Sequence, residues 1–198
     1  MRAFVLFLVC VLACSAMARE KPPLPFYDWN ACPFECCRYG SWTLRQSVSF
    51  HQSHAEGSRV TFRLEQGQIV TGITGVVITK RCGTTRATKS AEIVGIAKDG
   101  VSPSLSLKPG ETICTLHSEG ENESLFWYDG NLYSGELPDP EDSGKSPRSE
   151  ELRTETKPVT EWWVMIKAAS VCNGISCRAG DVGWSRETSA FEHMDACE

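Results

Sequence analysis

The sequence predicts an all-β, disulfide-stapled fold, and three observations carry that prediction. Short apolar runs recur with a period of two and are separated by turn-forming residues. No stretch has the three-to-four-residue apolar spacing of an amphipathic helix. Eight cysteines follow an export leader, which places them where thiols pair instead of staying free.

The leader is residues 1–18. Arg2 gives the positive start, residues 4–13 form an unbroken apolar run, and Ala16-Met17-Ala18 is a small-residue cleavage site. The run is too short to span a bilayer. A second reading is available at Val11-Leu12-Ala13-Cys14, which resembles a lipobox and makes Cys14 a candidate for lipidation. Cleavage after Ala18 leaves 180 of the 198 residues, with 19 basic against 25 acidic side chains. That net charge of −6 repels phosphate, so nucleic acid is not expected as a partner. Membrane attachment is expected only through a lipid anchor.

Cys32, Cys36, Cys37, Cys82, Cys114, Cys172, Cys177 and Cys197 are the disulfide candidates. Cys172 and Cys177 flank an Asn173-Gly174 turn and could meet at a hairpin tip. Cys36 and Cys37 are adjacent, so each is expected to find a partner elsewhere. Cys197 would tie down a tail that otherwise frays. A metal site on Cys32, Cys36 and Cys37 is disfavoured, because paired C-x-x-C spacing and a nearby histidine are missing. No metal and no cofactor are expected.

Residues 19–42 form an N-terminal segment dense in cysteines and aromatics. Residues 43–100 read as a first β unit and residues 101–198 as a second. Val60, Phe62 and Leu64 alternate inward against Thr61 and Arg63. Further strand signals lie at residues 69–78 and 93–97, with a Lys98-Asp99-Gly100 turn, and at residues 105–107, 113–116, 125–128 and 162–166. Glycines 67, 72 and 75 are expected at turns or bulges. An internal echo aligns residues 64–73 with residues 107–116, each beginning Leu-x-x-Gly before a β-branched strand. Residues 138–160 are charged, punctuated by Pro, Ser and Gly, and free of aromatics, which predicts a mobile polar loop insertion.

Several of these residues resemble exported bacterial SH3-like domain proteins of poorly defined function. The resemblance rests on Ala31-Cys-Pro-Phe-Glu-Cys-Cys, Trp42, the Leu-x-x-Gly strands, Trp162-Trp163-Val-Met-Ile-Lys, Gly183-Trp184 and Met194-Asp-Ala-Cys197. It implies one or two small SH3-like barrels in the cell envelope, periplasmic or extracellular, with no catalytic residues. Two departures from the pattern, Cys36 and the longer turn at residues 170–180, imply an additional disulfide pair.

Function is weighed on the aromatics and histidines. Trp127, Tyr128, Tyr133, Trp163 and Trp184 are the candidate ligand-binding residues, since small barrels expose aromatic grooves between loops. Trp162 and Trp163 must face opposite sides of one strand, so one of them is expected outside the core. The expected partner is a cell-wall peptide or glycan, or an envelope protein. Against catalysis, His51-x-x-His54 matches no metal-binding spacing and reads as a solvated loop; His117 and His193 stand alone. Nucleophile elbows, phosphate loops and dinucleotide fingerprints are absent from the sequence. A secreted hydrolase or a protease-inhibitor-like effector is the alternative reading. Asn122-Glu-Ser124 is a formal glycosylation acceptor.

Overall fold

The structure, a computed structural model, describes residues 20–97, 104–120, 123–138, 147–169, 178 and 180–194. The leader with Cys14, the Lys98-Asp99-Gly100 turn, Asn122, and Cys172, Cys177 and Cys197 lie outside the described residues. The architecture is all-β, and one sheet curls into a half-barrel.

The strands are β1 (Phe26–Trp29), β2 (Ser41–Leu44), β3 (Val48–His51), β4 (Val60–Leu64), β5 (Ile69–Arg81), β6 (Gly83–Ala87), β7 (Ala91–Ile93) and β8 (Gly95–Ala97). They continue as β9 (Leu105–Leu107), β10 (Thr112–Gly120), β11 (Glu123–Tyr128), β12 (Asn131–Glu136), β13 (Leu152–Thr156), β14 (Val159–Ala168), β15 (Val182–Ser185) and β16 (Phe191–Glu192). The first sheet has the order β16-β2-β5-β14-β15-β3-β4, with β1 also paired to β5. The second runs β13-β6-β10-β11-β12-β8, and β7 pairs with β9.

The internal echo falls on equivalent structure. In a first set Val48 pairs with Leu64 and Trp42 with Val70; in a second, Ala91 pairs with Leu107 and Thr85 with Ile113, so the repeat crosses the expected boundary at residue 100. Every residue in the second set is its counterpart in the first shifted by 43 positions. The turns also match. Gly67 and Gly110 both have positive φ, at 80° and 88°, a region that glycine enters without a Cβ penalty. Gln68 N–H donates to the Glu65 carbonyl as Glu111 N–H donates to that of Lys108. The side chains of Gln68 and Glu111 then accept from the backbone N–H of Glu65 and Lys108, at 2.7 and 2.9 Å. Each sheet also has a 3₁₀ turn before a strand that pairs with β6 or with β2. Pro147–Glu150 precedes β13, which pairs with β6; Thr188–Ala190 precedes β16, which pairs with β2.

Two cores follow from these pairings. The first gathers Trp42, Leu44, Phe50, Phe62, Leu64 and Ile166, and the second Ile93, Leu107, Ile113, Phe126, Leu137 and Leu152. Full burial of one such side chain contributes about 1.5–3 kcal/mol. The Trp42 ring lies directly over Gly72, where a Cβ would come within 2.5–2.7 Å of three of its atoms. Gly72 is therefore a close-approach site inside a continuous strand, not a turn. The expected irregularity falls one residue later: Met165 pairs with Thr74 but Ile166 with Gly72, so Ile73 is bulged.

Strand β5 changes character along its length. From Ile69 to Gly72 exposed and buried residues alternate, whereas Gly75 to Thr79 are all buried. Continuous burial is what a strand shows when both of its faces are covered, and here β10 of the second sheet is the extra cover. Three links fasten β10 to the first sheet. Cys114 is bonded to Cys82, with Cα atoms 5.2 Å apart. Thr79 Oγ1 donates to the Leu116 carbonyl at 2.9 Å. His117 Nε2 lies 2.9 Å from Asp28 Oδ2 on β1, both side chains being nearly inaccessible.

Cys37 pairs with Cys32, and Cys36 is disulfide-bonded as well, so the adjacent cysteines do take separate partners. Disulfides of this kind form and persist in oxidising compartments. Among the described residues no helix is long and apolar enough to cross a membrane.

Two expectations are corrected. The described part of residues 138–160 is ordered structure: a 3₁₀ turn, strand β13 and the start of β14, with Leu152 fully buried. A strand that offers one apolar side chain to the core and polar ones elsewhere has a loop-like composition, yet its pairing with β6 orders it. Val60 is half exposed instead of inward. The register slips between Phe50 and His51, so Thr61 is extra in the ladder and alternation breaks there.

Candidate functional site

Strand β1 sorts its side chains by parity. Asp28 turns inward to His117, while Tyr27 and Trp29 are 43% and 51% exposed on the other face. On the neighbouring strands the cross-strand partners extend that outer face. Tyr27 pairs with Ile78, which pairs with Glu161; Trp29 pairs with Val76, which pairs with Trp163. Val76, Ile78 and Trp163 form a small buried cluster of their own, with Trp184 of β15 packed against it.

The loop between β3 and β4 comes down onto this face. It is held by its own hydrogen bonds, Gln52 N–H to the Arg59 carbonyl and Ser53 N–H to Ser58 Oγ, and by His51 Nδ1 at 2.8 Å from the Ser58 carbonyl. His54 at its tip packs against three rings: Trp29 at 5.0 Å, Trp184 at 5.1 Å and Tyr27 at 6.1 Å between centroids. Trp29 meets Trp184 edge to face at 6.3 Å, and Tyr27 lies nearly parallel to Trp29 at 6.4 Å. Each such aromatic contact contributes about 0.5–1.5 kcal/mol beyond area burial.

Beside this cluster is an open groove of about 430 Å³. Ile78 forms its floor, Leu24, Pro25 and Tyr27 one wall, and His54, Ala55 and Glu56 the other. Its end is charged. Glu161 accepts from Lys80 Nζ at 2.5 Å and from the Trp163 indole at 3.4 Å, and Arg186 stands 3.6 Å away. The Lys80 hydrogen bond, chiefly, holds the Glu161 carboxyl below its ordinary range; the Trp163 hydrogen bond and the Arg186 charge act in the same direction, against partial desolvation. Arg186 also lies 5.8 Å over the Trp163 ring, a cation–π distance. The groove therefore offers the Tyr27 and His54 rings, backed by the Trp29 and Trp184 cluster beside it, and fixed charge at one end.

Of the five aromatics expected to bind ligand, Trp163 and Trp184 meet here, Trp163 only 2% exposed beneath the surface and Trp184 partly exposed within it. Its neighbour Trp162 is half-buried against the first core, so neither member of the Trp162-Trp163 pair stands free of a core. The Trp162 indole N–H is buried without an ordinary hydrogen bond. Trp127, Tyr128 and Tyr133 lie on the second sheet. The Trp127 indole donates to the Glu20 carbonyl, the Tyr128 hydroxyl donates to Glu111, and Tyr133 stacks on Phe126 at 5.6 Å. Tyr27, Trp29, His54 and Arg186 were missed. The period-two spacing of Tyr27 and Trp29 was a usable signal; the approach of His54 is a tertiary fact without one.

His51 and His54, expected in a solvated loop, instead anchor that loop to the aromatic face. His117 is engaged at both ring nitrogens. The Ser118 carbonyl, 2.8 Å from Nδ1, can only accept, so Nδ1 carries a proton, while Nε2 faces the Asp28 carboxyl. The arrangement suits a structural clamp between β10 and β1.

Comparison with known proteins finds no family, curated protein or solved structure that matches the chain.

Proposed function

We propose that the protein is an exported, non-catalytic binding module, built of two SH3-like barrels, that holds a cell-wall glycan or peptide in the groove beside Tyr27, Trp29, His54 and Trp184. The observation that carries the reading is the exposed Tyr27–Trp29 pair. Two large rings half open to solvent on adjacent outward positions cost apolar hydration, and an extended ligand stacking on them recovers it. The charged end at Lys80, Glu161 and Arg186 would fix the orientation of a polar terminus or substituent. Support for the barrel type comes from the order of its closing strands. Trp162 to Lys167 lie on β14 and Gly183-Trp184 on the next strand, the sequence relation on which the family resemblance rests.

The test is co-sedimentation of the mature, oxidised protein with purified peptidoglycan. The parent is expected in the pellet. Trp29→Ala should shift the protein to the supernatant with an affinity loss of about tenfold or more, equivalent to ~1.4 kcal/mol. Trp127→Ala, on the other sheet, should sediment like the parent. A parent protein that stays in solution removes the proposal.

A further inference from the structure

A second cleft is lined by the second sheet and shares no lining residue with the aromatic groove among the described residues. It has a volume of about 450 Å³, within the roughly 300–1,000 Å³ of small-molecule sites. Strands β6, β10, β11 and β13 are neighbours in the second sheet, and their side chains Thr85, Thr115, Ser124 and Thr154 line it. Lys157, Pro158 and Thr160, where the chain returns to the first sheet, complete the wall. Among the described residues the lining is thus dominated by hydroxyls, with Lys157, the buried His117 and no carboxylate.

The hydroxyls are ordered, and their direction can be worked out. Thr154 Oγ1 donates to the Pro138 carbonyl at 2.7 Å, which uses its only proton. Thr85 Oγ1, 3.1 Å away, must then be the donor to Thr154. Thr115 Oγ1, at 3.3 Å from Thr85, must in turn be the donor to Thr85. Three protons are therefore committed along one chain, and its inner end, the hydroxyl oxygen of the 7%-exposed residue Thr115, keeps its lone pairs. A group satisfying it has to donate. Thr85 and Thr115 are buried residues, so the hydroxyls sit where an unmet hydrogen-bonding group is costly.

From this geometry we infer that the cleft is a binding site for a small polyhydroxylated ligand of sugar size. A sugar hydroxyl donates to Thr115 and can accept from a neighbouring hydroxyl or from Lys157, whereas an apolar ligand would leave the chain's end unmet. Leu137, Pro138 and Pro158 provide the apolar contact that a pyranose ring face takes. The inference stands independently of the aromatic groove.

The experiment is a titration of the isotopically labelled, mature oxidised protein with glucose and with glucuronate, followed by amide chemical shifts, with cyclohexanol as the poorly hydroxylated control. Saturable shifts are expected at Thr85, Thr115 and Thr154 with at least one of the two sugars, at concentrations where cyclohexanol gives none. Thr115→Val should weaken the apparent Kd about tenfold, as for loss of one buried hydrogen bond. Thr154→Val, at a less buried position, repeats the test should the first variant fail to fold. Trp29→Ala should leave the shifts unchanged. The inference is overturned if neither sugar produces saturable shifts, if the shifts are confined to the β3–β4 loop and the Tyr27–Trp29 face, or if the folded valine variant binds like the parent.

Discussion

Replacing both Cys82 and Cys114 with serine tests whether the staple between the sheets acts on the unfolded chain or on the folded one. The cysteines are 32 residues apart, against 5 for Cys32 and Cys37. Loop-closure entropy gives a contribution of about 3.7 kcal/mol for the longer loop and about 2.1 kcal/mol for the shorter at 25 °C. The folded geometry should survive the loss, because Thr79 still bonds to the Leu116 carbonyl and His117 to Asp28 on the same strand. The cost should therefore appear almost entirely as a more expanded unfolded state. Urea denaturation followed by circular dichroism is the assay, with the Cys32→Ser/Cys37→Ser pair as comparison. For a chain of this size, the longer loop's loss corresponds to a Tm lower by roughly 7–15 °C. The double replacement keeps the thiol count even, so mispairing of an odd cysteine does not intrude. A Cys82/Cys114 variant costing no more than the Cys32/Cys37 variant would refute the reasoning.

Four further outcomes are expected. Leu152→Ala should destabilise by about 2–5 kcal/mol in urea, since its side chain is fully buried in the second core; a side chain on a mobile loop would give almost no change. Gly72→Ala drives a Cβ into the Trp42 ring and should cost about 1–3 kcal/mol while altering the near-ultraviolet circular dichroism, whereas Gly110→Ala has open space and should show only a left-handed backbone cost of about 1–2 kcal/mol. Burial pushes the Tyr39 phenol above its ordinary value of 10.0, the nearby Asp28 charge adds to this, and the approach of the Trp162 indole N–H opposes it. The unfolded chain then loses its proton first, so the stability contributed is intact below pH 10 and falls as pH rises beyond; urea midpoints at increasing alkalinity should decline less in Tyr39→Phe. Replacing His117 or Asp28 singly should each cost about 3–5 kcal/mol, with a double-mutant cycle in urea returning strong coupling; additive losses would mean that the two groups act separately.

What the sequence reveals about this fold depends on how many faces of each strand are covered. Phe62 and Leu64 alternate with polar neighbours because β4 has one buried face, and that period is legible. Residues 75–79 are continuously buried because β10 lies over them, and an apolar run carries no period from which to count. Strand β13 fails in the opposite way, with Leu152 as its single buried apolar residue among arginine, glutamate and threonine. Trp29 and Trp163 show the same difficulty at the site. Both are tryptophans on strands paired to Val76, yet one is 51% exposed and the other 2%. Arg186 and the neighbouring strand β15 cover Trp163, and nothing local to either tryptophan encodes that.

The path of the chain explains how one sheet can be interrupted by another without losing its register. Strand β5 ends at Arg81 and β14 begins at Val159, and these two residues pair with each other. The intervening residues therefore leave and re-enter the first sheet at adjacent points, where a hairpin turn would otherwise stand. The cost of such an insertion is small when entry and exit are already neighbours, because the first sheet closes the same loop whatever fills it. The Cys82–Cys114 bond forms immediately outside this junction, and β10 runs back along β5 to reach Asp28. Strand β1 consequently lies between two demands: its inward Asp28 is clamped to the second sheet, and its outward Tyr27, stacked on Trp29, lines the groove. Any ligand that shifts β1 must strain the His117–Asp28 contact, so the rigidity of the groove comes from the sheet behind it.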